Sequence, residues 1–355
     1  MKKIVKSGIL IIVIALLVCA VALSLQSCSS GEKLYLFNYG DYISPQVYDL
    51  FEKEYGITVV VDEYAAPEDM YAKFVSGTAR YDLICSSDYM IEKLINDGHL
   101  SELNYDNIPN FANIDENQVN SLKSFDPELK YTVPHFWGTV GLLYNTEKVS
   151  EEEVKSWDVL FSGKYSGQII MPNSERDAMF VALKQLGYDG NTTVKSELDA
   201  AAALLKEQKK DVQAYLLDEA ARVKLESGNA SIAVIYNGEA YLAFESNDKL
   251  DFAVPEEGTC IWLDAFAIPK NAEKKDKAEL FLNFLCREDI AKINFEYIYY
   301  STPNKAVKNS LDEEVLSETA IFPDSSVYEK STVFKYLGKE IEEYYSKLWK
   351  EVKSS

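Results

Sequence analysis

Six short stretches set an aromatic ring beside a carboxylate, hydroxyl or amide: NYGDY (38–42), SSDY (86–89), HFWG (135–138), IYNGE (235–239), WLD (262–264) and YYSTPN (299–304). The face of a ring attracts a cation by about 0.5 to 2 kcal/mol, more where the site is dry. A carboxylate adds a charge-assisted hydrogen bond roughly twice as strong as a neutral one. A linear molecule of methylenes and ammonium groups suits this set, with rings along the methylenes and acids at the amines. Each stretch taken alone also has a plainer reading. A strand-end Tyr often rims a core, and an Asp after it often closes a turn. Residue sets for other chemistry are missing. No Gly-rich loop with Lys marks a phosphate site, and GNTT (190–193) carries no Lys. His99 and His135 stand in unrelated contexts, so no zinc or other metal site is expected. No GxSxG elbow marks a serine nucleophile, and nothing in the pattern calls for a cofactor.

The stretches fall at the ends of elements. KLYLFN (33–38) reads as a strand running into Tyr39, Gly40, Asp41 and Tyr42. Ser44 and Pro45 then open a helix with an apolar stripe at Val47, Leu50 and Phe51. ITVVVDEY (57–64) and YDLICSS (81–87) read as further strands, with helices over 66–77 and 88–98 between and after them. A second series has strands at 140–145, 167–172, 230–238, 250–255 and 262–269, and helices at 175–187, 196–208 and 218–228. One long helical stretch is expected over 276–297 and another over 333–352. Strands alternating with helices predict an α/β fold with mostly parallel sheets covered on both faces. The length suits two such lobes with a cleft between them better than one. Ligands of open α/β sheets sit beyond the carboxyl ends of the strands. That places Tyr39, Asp41, Ser87, Tyr89 and Tyr236 near one crevice.

The first 27 residues read as a leader. Lys2, Lys3 and Lys6 precede an uncharged apolar run from Gly8 to Leu25, and LQSC (25–28) follows. This resembles a lipobox, in which Cys28 becomes the lipidated first residue of an extracytoplasmic, membrane-attached protein. An uncleaved membrane anchor is the alternative. The net charge of −21 argues against nucleic-acid binding and agrees with a cationic ligand or with plain solubility. Cys85, Cys260 and Cys286 match no metal spacing and are odd in number, so they read as small buried apolar residues.

From Leu34 to about Leu348 the chain resembles the spermidine/putrescine-binding proteins of bacterial polyamine ABC importers. The resemblance is carried by LYLFNYGDYISP, YDLICSSDY, YTVPHFWGTVGLLYN, LGYDGNTT, IYNGEAY, WLDAFAIPKNA and YSTPN. It implies a two-lobed periplasmic-binding-protein fold that closes on its ligand and is read by membrane permease subunits, as a monomer and not an enzyme. It implies lobe I from 33–138 and 259–304, and lobe II from 139–256 and 307–352. By the same resemblance Tyr39, Asp41 and Tyr42 match the family's first loop, with Tyr39 in place of Trp. Ser87 and Tyr89 match its third strand end, and Tyr236 replaces a second Trp. Trp262 and Asp264 keep the family's W-x-D pair, and Tyr300 matches the Tyr before TPN. Of two second-lobe acids, the later matches Asp177 and the earlier falls on Ser174, which carries no charge. Glu175, Glu239 and Asp88 are candidates to replace that charge.

Three other readings stay open. A ferric-binding protein of the same fold would use adjacent tyrosines, as at Tyr299–Tyr300 or Tyr344–Tyr345. A sugar also stacks on rings and bonds to carboxylates. A retaining glycosidase would need an acid and a nucleophile, and no pair of acids stands out.

Overall fold

Residues 31–355 are described by a computed structural model. Cys28 and the expected leader lie outside them. The chain opens with β1 (Glu32–Tyr39), α1 (Pro45–Tyr55), β2 (Ile57–Tyr64), α2 (Pro67–Val75), β3 (Leu83–Ser87) and α3 (Asp88–Asn96). Pro45 takes the first helical position of α1, and Gly56 ends the helix in left-handed backbone (φ 70°). Ser44 occupies the N-cap position but makes no capping bond through its side chain. Its backbone N–H instead donates to Asn294 Oδ1 at 3.0 Å, fixing the first turn to a later helix.

A two-residue β4 (Leu100–Ser101) and α4 (Glu116–Leu122) lead to β5 (Thr132–Asn145). The sequence predicts only its second half as strand, yet β5 is continuous and buried along all 14 residues. Pro134, which donates no backbone hydrogen bond, lies opposite Ala265 beside a bulge between Leu263 and Ala265, so its missing donor falls where the ladder is irregular. Then follow β6 (Ile169–Pro172), α5 (Glu175–Gln185), α6 (Lys195–Gln208), β7 (Val212–Leu216), α7 (Asp218–Glu226), β8 (Ile232–Tyr236) and α8 (Asn237–Ser246). β7 and α8 were not expected. β9 (Leu250–Ala253) and β10 (Cys260–Pro269) complete the main strands.

The expected helix over 276–297 divides into α9 (Lys275–Leu285) and α10 (Glu288–Ile298), because Arg287 turns to extended backbone and bonds Glu54 and Asp289. Short helices α11 (Lys305–Ser310), α12 (Glu313–Leu316) and α13 (Ser325–Lys330), a two-residue β11 (Thr332–Val333) and α14 (Lys339–Ser354) finish the chain. The expected helix from 333 therefore starts only at Lys339.

The strands follow the order β2-β1-β3-β10-β5-β8-β6-β7, with β4 and β11 on β10 and β9 on β5. β1, β2 and β3 are parallel, as are β6, β7 and β8. β5 and β10 run antiparallel to each other and to β8 and β3, while the short β11 pairs with β10 in parallel. Residues 132–139 of β5 pair with β10, and residues 140–145 pair with β8 and β9. One strand thus belongs to two sheet sections. Helices cover both: Val47 and Phe51 of α1 lie in the core with Phe281 and Phe284 of α9, and Ala221 and Leu225 of α7 pack with Ala240 and Ala243 of α8. Cys85, Cys260 and Cys286 are free and buried, as their isolation in the sequence suggests.

Candidate functional site

The two sheet sections meet at β5, and the aromatic stretches converge there. Trp262 lies opposite Gly138 on one side of β5, and Tyr236 lies opposite Val140 on the other. Their rings meet edge to face at 5.9 Å. A Cβ at Gly138 would sit 2.7 Å from the Trp262 ring and 2.0 Å from Asn237 Oδ1, so the Gly of HFWG lets the indole and the IYNGE turn close on the strand. Gly238 does the same for Tyr300, whose ring would lie 2.2 Å from an added Cβ. Tyr300 arrives from the end of α10, where Tyr299 takes left-handed backbone (φ 56°) and turns the chain. Tyr299 packs on Tyr241 and Phe295 while Tyr300 packs on Trp262, so the adjacent phenols diverge. Tyr344 donates to Asp199 and Tyr345 is buried, so that pair diverges as well.

The rings form a continuous line. Tyr39 meets Tyr42 at 5.3 Å, Tyr42 meets Tyr300 at 5.9 Å, and Tyr300 meets Trp262 at 5.0 Å before Tyr236. All four contacts are edge to face, the favoured arrangement for ring quadrupoles.

Carboxylates flank this line. Tyr42 donates to Asp264 Oδ2 at 2.6 Å. Burial pushes the Asp264 carboxyl up to about 7 against the pull of that bond, and the charges of Asp218 and Asp177 add to the push. Tyr236 donates to Asp177 Oδ2 at 2.8 Å. Burial raises Asp177 too, against its bonds to Ser174 and Tyr236. Asp218 reaches solvent, yet the protein around its carboxyl limits hydration and, with Asp177, pushes it up to about 6. Among the described residues none of the three acids forms an ion pair with a Lys, Arg or His. Ser87 lies opposite Asp264 on β3. Ser87 Oγ and Trp262 Nε1 are each over nine-tenths buried without a hydrogen-bond partner. Behind Tyr42, burial lowers His135 to about 3, so it brings no positive charge, and its Nε2 lies 3.1 Å from the Tyr42 carbonyl.

Other expected residues are placed differently. Asp41 is exposed in left-handed backbone (φ 52°) and has no hydrogen bond to the ring line. Tyr89 donates to Glu68 Oε1 at 2.8 Å and lies under the Arg176 guanidinium, 4.9 Å from its ring centre. Ser174 caps α5, its Oγ accepting from Asp177 N at 3.3 Å. Of the three candidates for its missing charge, Glu175 and Glu239 are engaged by other side chains, while Asp88 has no ion pair among the described residues and its Oδ2 has no hydrogen-bond partner. Glu175 accepts from Ser346 Oγ on α14, Glu239 is held by Arg222 Nε at 2.8 Å, and Asp88 is buried with Oδ1 on the Tyr89 N–H. Asp218 and Glu68 were not anticipated. An Asp opening a helix reads as a favourable partner of the helix dipole. The signal that would have found it is its place after VQAYL, a strand ending beside those of Ser174 and Tyr236.

This arrangement suits an elongated apolar body between rings, with cationic groups at acids that have no ion-pair partner. It offers no activated nucleophile, and among the described residues no three His, Cys, Asp or Glu gather to hold a metal ion. No helix among the described residues is long and apolar enough to cross a membrane.

A family model for the bacterial extracellular solute-binding proteins matches residues 46–323. The spermidine/putrescine-binding periplasmic protein of Escherichia coli (strain K12) is 34% identical over 333 residues, covering 93% of this chain and 95% of that protein. The solved putative spermidine/putrescine ABC transporter from Listeria monocytogenes superposes with a TM-score of 0.86 at 34% identity, over 91% of this chain and 99% of that one. The TpPotD lipoprotein of Treponema pallidum superposes at 0.77 with 25% identity, over 90% and 99%. The two sheet sections are the lobes of that two-lobed fold. With its fold and most of its length matched, the chain belongs to the bacterial extracellular solute-binding proteins.

Proposed function

We propose that this protein captures a linear polyamine, spermidine or putrescine, in the cleft between its lobes and delivers it to an ABC importer. The observation that carries this reading is the line of five rings, Tyr39 to Tyr236, flanked by Asp264 and Asp177 without ion-pair partners. Asp264 takes one ammonium group and Asp177 another, and the rings hold the methylenes between them. Ser87 Oγ supplies a hydrogen bond. The bound form is closed by the lobes, taken as 33–138 with 259–304 and 139–256 with 307–352. The chain is held outside the cytoplasm by lipid on Cys28. Capture is reversible and non-covalent.

Calorimetric titration of residues 29–355 with putrescine, spermidine and spermine tests the reading. Binding to at least one is expected, and no heat with any of them overturns it. Asp264→Ala should weaken binding about 100-fold, the loss of roughly 3 kcal/mol in a charge-assisted bond. Unchanged affinity would remove Asp264 from the site. The full chain should take up labelled palmitate, and Cys28→Ala should abolish that uptake. Equal uptake by both would rule out Cys28 as the anchor.

A further inference from the structure

Three parallel strands of the second lobe end on one edge. Pro172 of β6 lies opposite Leu216 of β7, and β8 flanks β6 on its other side. Asn173 N donates to the Leu216 carbonyl at 3.2 Å, tying the two turns together. Beyond these ends Asp177, Asp218 and Tyr236 line one cavity with Val140 and Pro172. Asp218 holds left-handed backbone (φ 47°), a conformation that L side chains avoid. Opening a helix does not demand it, since Asp88 opens α3 without it. The carboxyl stands close enough to act on Asp177, Asp264, Tyr236 and Tyr300, raising all but Asp177 directly and being raised by Asp177 itself. It therefore stands at the Tyr236 end of the ring line and reaches toward Tyr300 and Asp264, and no ion pair occupies it among the described residues.

We infer that Asp218 is an ammonium-binding residue that supplies a second-lobe charge beside Asp177, and that it favours a triamine over a diamine. This rests on the polyamine reading and deepens it. Asp264, Asp177 and Asp218 give the cleft three carboxylates. A ligand with three ammonium groups compensates all of them. A ligand with two leaves one carboxylate unpaired when the lobes close over the cleft, which is penalised. Removing Asp218 leaves two carboxylates, the complement of a diamine.

The test titrates residues 29–355 and the variant Asp218→Asn with spermidine and putrescine at pH 8, above the values of both Asp264 and Asp218. Asn tolerates left-handed backbone, so the turn is retained, and a thermal melt matching the parent verifies this. Asp218→Ser, which also removes the charge, is run beside it. Both variants should bind spermidine roughly ten- to a hundred-fold more weakly, with putrescine changed less than about three-fold. Spermidine affinity within two-fold of the parent in both variants overturns the inference, as does an equal loss for both amines. A parent that binds neither amine overturns the polyamine reading and this inference with it, so the two failures are distinct.

Discussion

Asp264, pushed up to about 7, and Asp218, pushed up to about 6, hold protons at pH values where ordinary carboxyls are ionised. An alkylammonium group, with an ordinary value of about 10.4, stays charged throughout. Docking it beside these acids expels their protons, so affinity should rise as pH increases from about 5 to 8. Titration at pH 6.5 in buffers of different ionisation enthalpy should show proton release. An affinity flat across that range would count against the assignment. The stability effect has the opposite sense. The folded value of Asp264 lies above its unfolded one, so its contribution is full below about 4 and is lost as pH rises through about 7. The melting temperature of ligand-free protein should fall over that window, and Asp264→Asn should lessen the fall. A fall of the same size in the variant would place the cause elsewhere. Trp262 and Asp264 were offered by the WLD stretch and by the resemblance, and the structure sets Trp262 in the ring line and Asp264 on the Tyr42 hydroxyl. Asp41 and Tyr89, named with them, are placed apart from the ring line: Asp41 is exposed at a backbone φ of 52°, and Tyr89 donates to Glu68.

The elements explain why small residues recur beside the rings. Gly138 and Gly238 leave room for Trp262 and Tyr300, whose positions are otherwise fixed by the sheet and by the end of α10. Gly238→Ala should force the Tyr300 ring to shift. It should destabilise the protein by about 1 to 3 kcal/mol in urea denaturation, as overpacking does, and weaken amine binding as well. Unchanged affinity would show that Tyr300 does not shape the cleft. β2 and the starts of α5 and α7 were readable, because apolar period and helix-start residues agree there. β7 was missed because VQAYL lies at the end of the sheet order, with no residue fully buried and therefore a weak apolar signal. Half of β5 was hidden by Pro134, whose place beside a bulge only the pairing register reveals. The division of α9 from α10 was hidden by an apolar repeat that continues across it, with neither Gly nor Pro at the break.

Across the protein, the C-terminal segment joins what the sequence separates. Lys93 of α3 bonds Tyr336 Oη at 3.2 Å and lies 3.6 Å from Glu342 of α14. Arg176 of α5 stacks on Tyr89, Phe334 and Tyr345, rings drawn from α3, the stretch after β11, and α14. Alternation of strands and helices foretold the α/β class and the chain length two lobes, but these long-range bonds depend on side-chain directions that no local pattern encodes. The three cysteines carry a consequence of their own. Cys85 lies on β3 between β1 and β10, Cys260 begins β10 beside β11, and Cys286 lies at the junction of α9 and α10. Burial raises each thiol, to about 12 at Cys286, so almost no thiolate is present in the native state. Alkylation by a small thiol reagent then proceeds only through transient exposure, and its rate at each cysteine is a clock for the loosening of that part of the fold. Three native reporters, read by mass without any introduced label, distinguish parting of the central strands from release of the C-terminal segment and from separation of the two helices.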